Sequence, residues 1–84
     1  MKVIKVDDSE FGTTGFFTIW VWARDVTWRE SPYLFKYKSG QVYFMLGSRQ
    51  SDKRYIKEAE NEKVAVEVAT KYLEEWLRYC RAID

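Results

Sequence analysis

Tyr33–Leu46, YLFKYKSGQVYFML, decides the reading of this chain: two runs of alternating residues meet at Ser39-Gly40. A Ser-Gly pair between β-prone runs signals a two-residue hairpin loop whose glycine can take a positive φ. That loop sets a register, pairing Lys38 with Gln41, Tyr37 with Val42, Lys36 with Tyr43 and Phe35 with Phe44. Side chains alternate along a strand, and directly paired residues share a face. One face therefore collects Tyr33, Phe35, Tyr37, Val42, Phe44 and Leu46, and the other Leu34, Lys36, Lys38, Gln41, Tyr43 and Met45. The first is expected to be core and the second to meet water or a partner, because a slip of one residue would bury two lysines.

Upstream, Phe16–Arg24 (FFTIWVWAR) is the strongest strand in the chain, dense in β-branched and aromatic side chains. Its faces are Phe17, Ile19, Val21 and Ala23 against Phe16, Thr18, Trp20, Trp22 and Arg24. Thr18 and Arg24 mark the second set as outward, which puts Trp20 and Trp22 beside Leu34, Tyr43 and Met45. The pattern alone leaves the reverse open, since a tryptophan pair fills a core equally well. Asp25–Pro32 (DVTWRESP) reads as a connection, because Pro32 has no N–H to donate and holds Ser31 extended. Trp28 and Arg29 fall in the middle of it, where a tryptophan either plugs the end of the core or meets a ligand.

At the N-terminus, KVIKV (2–6) reads as a short strand with Val3 on one side and Ile4 and Val6 flanking it. A loop, Asp7–Gly15, follows. Its Asp7, Asp8, Ser9 and Glu10 lack the glycine and spacing of a calcium loop, so a solvated connection is expected. After Leu46, GSRQSDKRY is polar and basic through Arg49, Lys53 and Arg54, and the pattern leaves 51–60 undecided between loop and helix. Asn61 is a good N-cap, with Glu62 at the positive end of the dipole. From there Ala65, Ala69, Tyr72 or Leu73, Trp76, Cys80 and Ile83 recur at helical spacing. Glu67, Lys71, Glu74, Glu75 and Arg78 lie mostly off that stripe, and Arg78 and Arg81 suit the C-terminal end.

The expected architecture is α+β. One domain over 1–84 holds a four-stranded antiparallel sheet in ββββα meander order, with one long C-terminal helix packed on one face. A single helix covers one face of a sheet, so the other should stay open.

Composition narrows the chemistry. Among 84 residues, 46% are hydrophobic and 18% aromatic, too apolar for a disordered chain. Fourteen basic and 13 acidic residues leave a net charge of +1, which argues against affinity from broad phosphate neutralisation. Histidine is absent, removing the commonest general base and zinc ligand. Cys80 is the single cysteine and falls on the helix stripe, where it reads as a structural thiol. The GTTG at 12–15 lacks the lysine and spacing of a phosphate loop. No catalytic residue, cofactor or metal site is expected. No apolar run approaches the length that spans a bilayer, and charges begin at Lys2 with no apolar signal segment, so a cytoplasmic setting without a membrane is expected.

Surface recognition remains. Trp20, Trp22, Arg24, Trp28, Arg29, Leu34, Lys36, Tyr43 and Met45 include the residue types that dominate interface hot spots. The leading expectation is a non-catalytic protein-binding module, either self-associating as a homodimer or docking on a larger complex, for instance as a virus-encoded inhibitor. The alternative is a single-stranded nucleic-acid binder that stacks bases on the aromatics, with Lys36, Lys38 and Arg24 on phosphates.

Overall fold

A computed structural model describes residues 2–24, 28–46 and 52–79, with the side chains of residues 23, 24, 28 and 29 also outside what is described. Five strands and one helix follow in chain order: β1 Lys2–Asp7, β2 Phe16–Arg24, β3 Trp28–Lys38, β4 Gln41–Met45, β5 Lys53–Glu58 and α1 Glu62–Tyr79. The sheet order is β1-β2-β3-β4-β5 and every described pairing is antiparallel. The α+β meander with one C-terminal helix stands; the strand number is five, not four.

The hairpin has the register its turn chemistry implies, from Lys38 opposite Gln41 to Phe35 opposite Phe44. Ser39 and Gly40 both have positive φ, 55° and 77°, the signature of a type I′ turn whose twist matches the strands. Phe17, Ile19, Val21, Phe35 and Val42 are buried on one face, closed by Ala65, Ala69, Leu73 and Leu77 of α1. The phenyl rings of Phe17, Phe35 and Phe44 form a run with centroids 5.5 and 5.2 Å apart. The aliphatic set of β2 thus faces the helix, and the tryptophans face away.

The helix starts where its cap does: Asn61 Oδ1 accepts from the Val64 amide at 3.0 Å, satisfying one orphan N–H of the first turn. Its inward stripe runs Ala65, Ala69, Leu73, Leu77, with Tyr72 and Trp76 half-buried against Phe44. Leu73 rather than Tyr72 is the fully buried member, and Leu77 belongs to the stripe although the spacing singled out Trp76. Cys80, Arg81 and Ile83 lie outside the described residues.

Four expectations need correction. Residues 53–58 are neither loop nor helix but an edge strand, whose charges are tolerated because only Ile56 packs against the core. Trp28–Pro32 is not a connection but the first half of β3, paired to β2 from Trp28 opposite Arg24 to Pro32 opposite Trp20. Pro32 is accommodated because β3 has there run past the end of β4. Backbone groups alternate in direction, and a hydrogen-bonded Lys38–Gln41 closing pair makes the even-numbered residues point toward the β4 side. Pro32 therefore lacks its N–H on a side where no described strand pairs with it. Leu46 is no core residue; it follows the last residue of β4 and is 48% exposed. Val3 and Val6 do not flank opposite sides: a bulge between Val3 and Lys5 sets both opposite core residues, Val21 and Ile19.

Residues 8–15 are a loop, as expected, and it is tied down. Glu10 O accepts the amides of Thr13, Thr14 and Gly15, while Phe11 stacks on Phe17 at 4.6 Å. Gly15 (φ 81°) donates no side chain because none fits: a Cβ would press into the Tyr37 carbonyl, and Gly15 O accepts the Tyr37 amide at 2.8 Å.

Candidate functional site

Directly paired residues share a face, so the registers sort the side of the sheet away from α1 into rows. The first row is Lys2, Trp22, Glu30 and the second Lys5, Trp20, Pro32. The third begins Asp7, Thr18, Leu34; one step along the hairpin register brings Leu34 beside Met45, which pairs with Lys53. The fourth is Phe16, Lys36, Tyr43, Tyr55, and the last Lys38, Gln41, Glu58.

Of the residues singled out from the sequence, Trp20, Trp22, Leu34, Lys36, Tyr43 and Met45 are thereby brought onto one face. The backbones of Arg24, Trp28 and Arg29 lie at the far end of the β2–β3 pair, and their side chains are outside the described residues. Within the set, exposure varies. Trp22 is 43% exposed, whereas Trp20, Leu34, Lys36 and Tyr43 are half-buried. Met45 departs from the expectation of a solvent-facing residue: it faces away from the helix yet is only 5% exposed. It lines a depression at the end of β4 with Thr18, Pro32 and Leu34, and with Phe44 and Trp76 from the helix side. Phe16 is similarly covered, at 8% exposure.

Lysines provide much of the cover. Lys5 Nζ lies 5.3 Å from the Trp20 ring centroid, Lys36 Nζ 5.0 Å from Phe16 and Lys53 Nζ 4.6 Å from Tyr43. Each contact is a cation–π pair worth about 0.5–1 kcal/mol at an exposed site. The long stems lie along apolar surface while the ammonium heads stay wet. Tyr43 also donates its hydroxyl to Gln41 Oε1 at 2.6 Å and meets Tyr55 edge-on at 5.9 Å.

Lys2, Lys5 and Lys53 escaped sequence reasoning as members of this surface. For the first two the reason is the β1 bulge. Strict alternation would put Lys2 with Ile4 and Val6; the extra residue instead puts Lys2 and Lys5 both opposite tryptophans. Lys53 was missed together with its strand.

The face is not uniformly basic. Asp7, Glu30 and Glu58 stand in the rows with the five lysines. The Ser9 hydroxyl and amide both donate to Asp7 Oδ1, at 2.8 and 3.2 Å, and hold its carboxyl below the usual carboxylate range. Asp7 therefore stays ionised to lower pH than a free aspartate, and its contribution to stability is lost only as pH falls through that lowered value.

No three Asp, Glu, Cys or His side chains among the described residues converge into a group that could hold a metal ion. No described helix is long and apolar enough to cross a membrane. The chain matches no family of known proteins, no curated protein and no solved structure.

Proposed function

We propose that this protein is a non-catalytic binding module that engages another protein through the sheet face opposite α1. The observation carrying this reading is Trp22, a large aromatic left 43% exposed, with Lys2 and Glu30 in its row. An apolar anchor rimmed by charges of both signs is the arrangement of a protein-contact hot spot. Self-association through the same face is disfavoured, because a two-fold interface sets a patch against itself and would bring together two copies of a lysine-rich surface. Docking on a different protein is favoured, and a compact adaptor or inhibitor acting in a reducing cytoplasmic setting is the role this size suits.

The lysines also motivate a single-stranded nucleic-acid reading. A phosphate chain crossing the rows, however, would meet Asp7 and Glu30.

A photo-crosslinking benzoyl-phenylalanine at position 22, with a control at the exposed helix position 71, tests the reading in cell extract. Protein adducts are expected at 22, absent at 71, and lost when Tyr43→Glu is added. Equal adducts at both positions, or nucleic acid as the species captured at 22, would overturn it.

A further inference from the structure

We propose that the partner segment is acidic and apolar-anchored: a stretch of polypeptide in which glutamates or aspartates flank aromatic or aliphatic side chains. This rests on the protein-binding reading above and adds the chemistry of the partner. The chain as a whole is nearly neutral, at +1, yet its charges are not evenly spread. Five lysines from β1, β3 and β5 share the open face with three carboxylates, and the carboxylates lie at its margins. Asp7 ends β1, Glu30 sits in the end row at Trp22, and Glu58 ends β5. The three middle rows carry Lys5, Lys36 and Lys53 against one carboxylate, Asp7, which stands at the β1 edge.

Those three lysines have a second property: their ammonium groups are parked on aromatic rings. A cation–π contact is weaker than a charge-assisted hydrogen bond to a carboxylate, so an acidic segment offers each lysine a better partner. When the ammonium swings to that carboxylate, the ring beneath is uncovered for an apolar side chain of the same segment. Two depressions could receive such anchors. One lies among Lys2, Val3, Ile4, Trp22 and Glu30; the other opens where β4 ends, with Thr18, Leu34 and Met45 from the open face and Phe44 and Trp76 from the helix side. Charge and apolar contact thus alternate across the face at the scale of neighbouring side chains.

The test uses fluorescein-labelled short peptides and fluorescence anisotropy on the intact protein. The first probe is a run of glutamates carrying two leucines and a tryptophan. In the second, glutamines replace the glutamates; in the third, serines replace the apolar residues. An oligothymidylate is the fourth. The acidic apolar peptide should bind, and each altered peptide should bind at least about tenfold more weakly, a loss of about 1.4 kcal/mol. Raising salt should weaken only the acidic probes. The triple variant K5Q/K36Q/K53Q, checked for fold by circular dichroism, should lose about tenfold toward the acidic apolar peptide and most of its salt dependence. Equal binding of the glutamate and glutamine peptides, or none by either, would sink the proposal, as would tighter binding of the oligothymidylate. If that happens while protein adducts persist at position 22, the face still binds protein, but a partner of other chemistry.

Discussion

On the helix side of the sheet, Phe17, Ile19, Val21, Phe35 and Val42 are at most 1% exposed, under a helix that places an alanine or leucine every fourth residue over them. On the other side Phe16 and Met45 come close to that burial, and no described helix lies over them. Over Phe16 a lysine does the covering instead, with Lys36 Nζ 5.0 Å from the ring centroid. The two covers differ in kind. Lifting α1 would expose a packed core and end in unfolding, whereas a lysine leaves a ring at the cost of one weak contact. Burial of a single residue therefore does not distinguish a permanent core from a surface that is closed only until a partner arrives. What distinguishes them is how many bonds must break to open it.

Truncation puts numbers on that difference. Phe35→Ala, on the helix side, should cost roughly 3–5 kcal/mol, read from chemical denaturation midpoints at constant slope. Met45→Ala, buried on the other side, should cost about 2 kcal/mol, the low end for such a change, because its surroundings can relax into the space. A loss as large as that of Phe35→Ala would mean that the open face is packed like the core. Lys36→Ala should cost about 0.5 kcal/mol or less in the same experiment. A loss of 2 kcal/mol or more would make the lysine cover a structural element, and with it the idea of a displaceable one would fall.

Much of this contrast is legible in the sequence, and the reasons for the rest are physical. Ser39-Gly40 announces its turn because few residue pairs tolerate two positive φ values, and the register of four residue pairs follows from it. Asn61 announces the helix because its side chain completes an unfilled N–H. The fifth strand is hidden because an edge strand needs little apolar content. In KRYIKE, Ile56 alone packs against the core, and the surrounding charges protect the edge. The first half of β3 is hidden by Pro32, which signals a break unless one knows that β4 ends before reaching it. The lysines beside the tryptophans are hidden for a different reason. The β1 bulge shifts alternation by one residue, and KVIKV contains no glycine or turn residue to mark where. The hairpin half of the open face could thus be read from residues, while its basic half depended on irregularities that only backbone pairing reveals.

The order of the strands in the sheet is the order of the strands in the chain, and this has a consequence for how the protein comes into being. Each strand pairs with the one synthesised just before it, so every closure spans a short stretch and costs little chain entropy. The sheet can grow outward on the ribosome one hairpin at a time, with no need to wait for a distant segment. Only the helix is late. Until residues 62–79 emerge, the side bearing Phe17, Phe35 and Phe44 has no helix over it, and the apolar surface of the nascent sheet is uncovered. The vulnerable interval in the life of this molecule is therefore the synthesis of α1, when the five strands exist and their permanent cover does not.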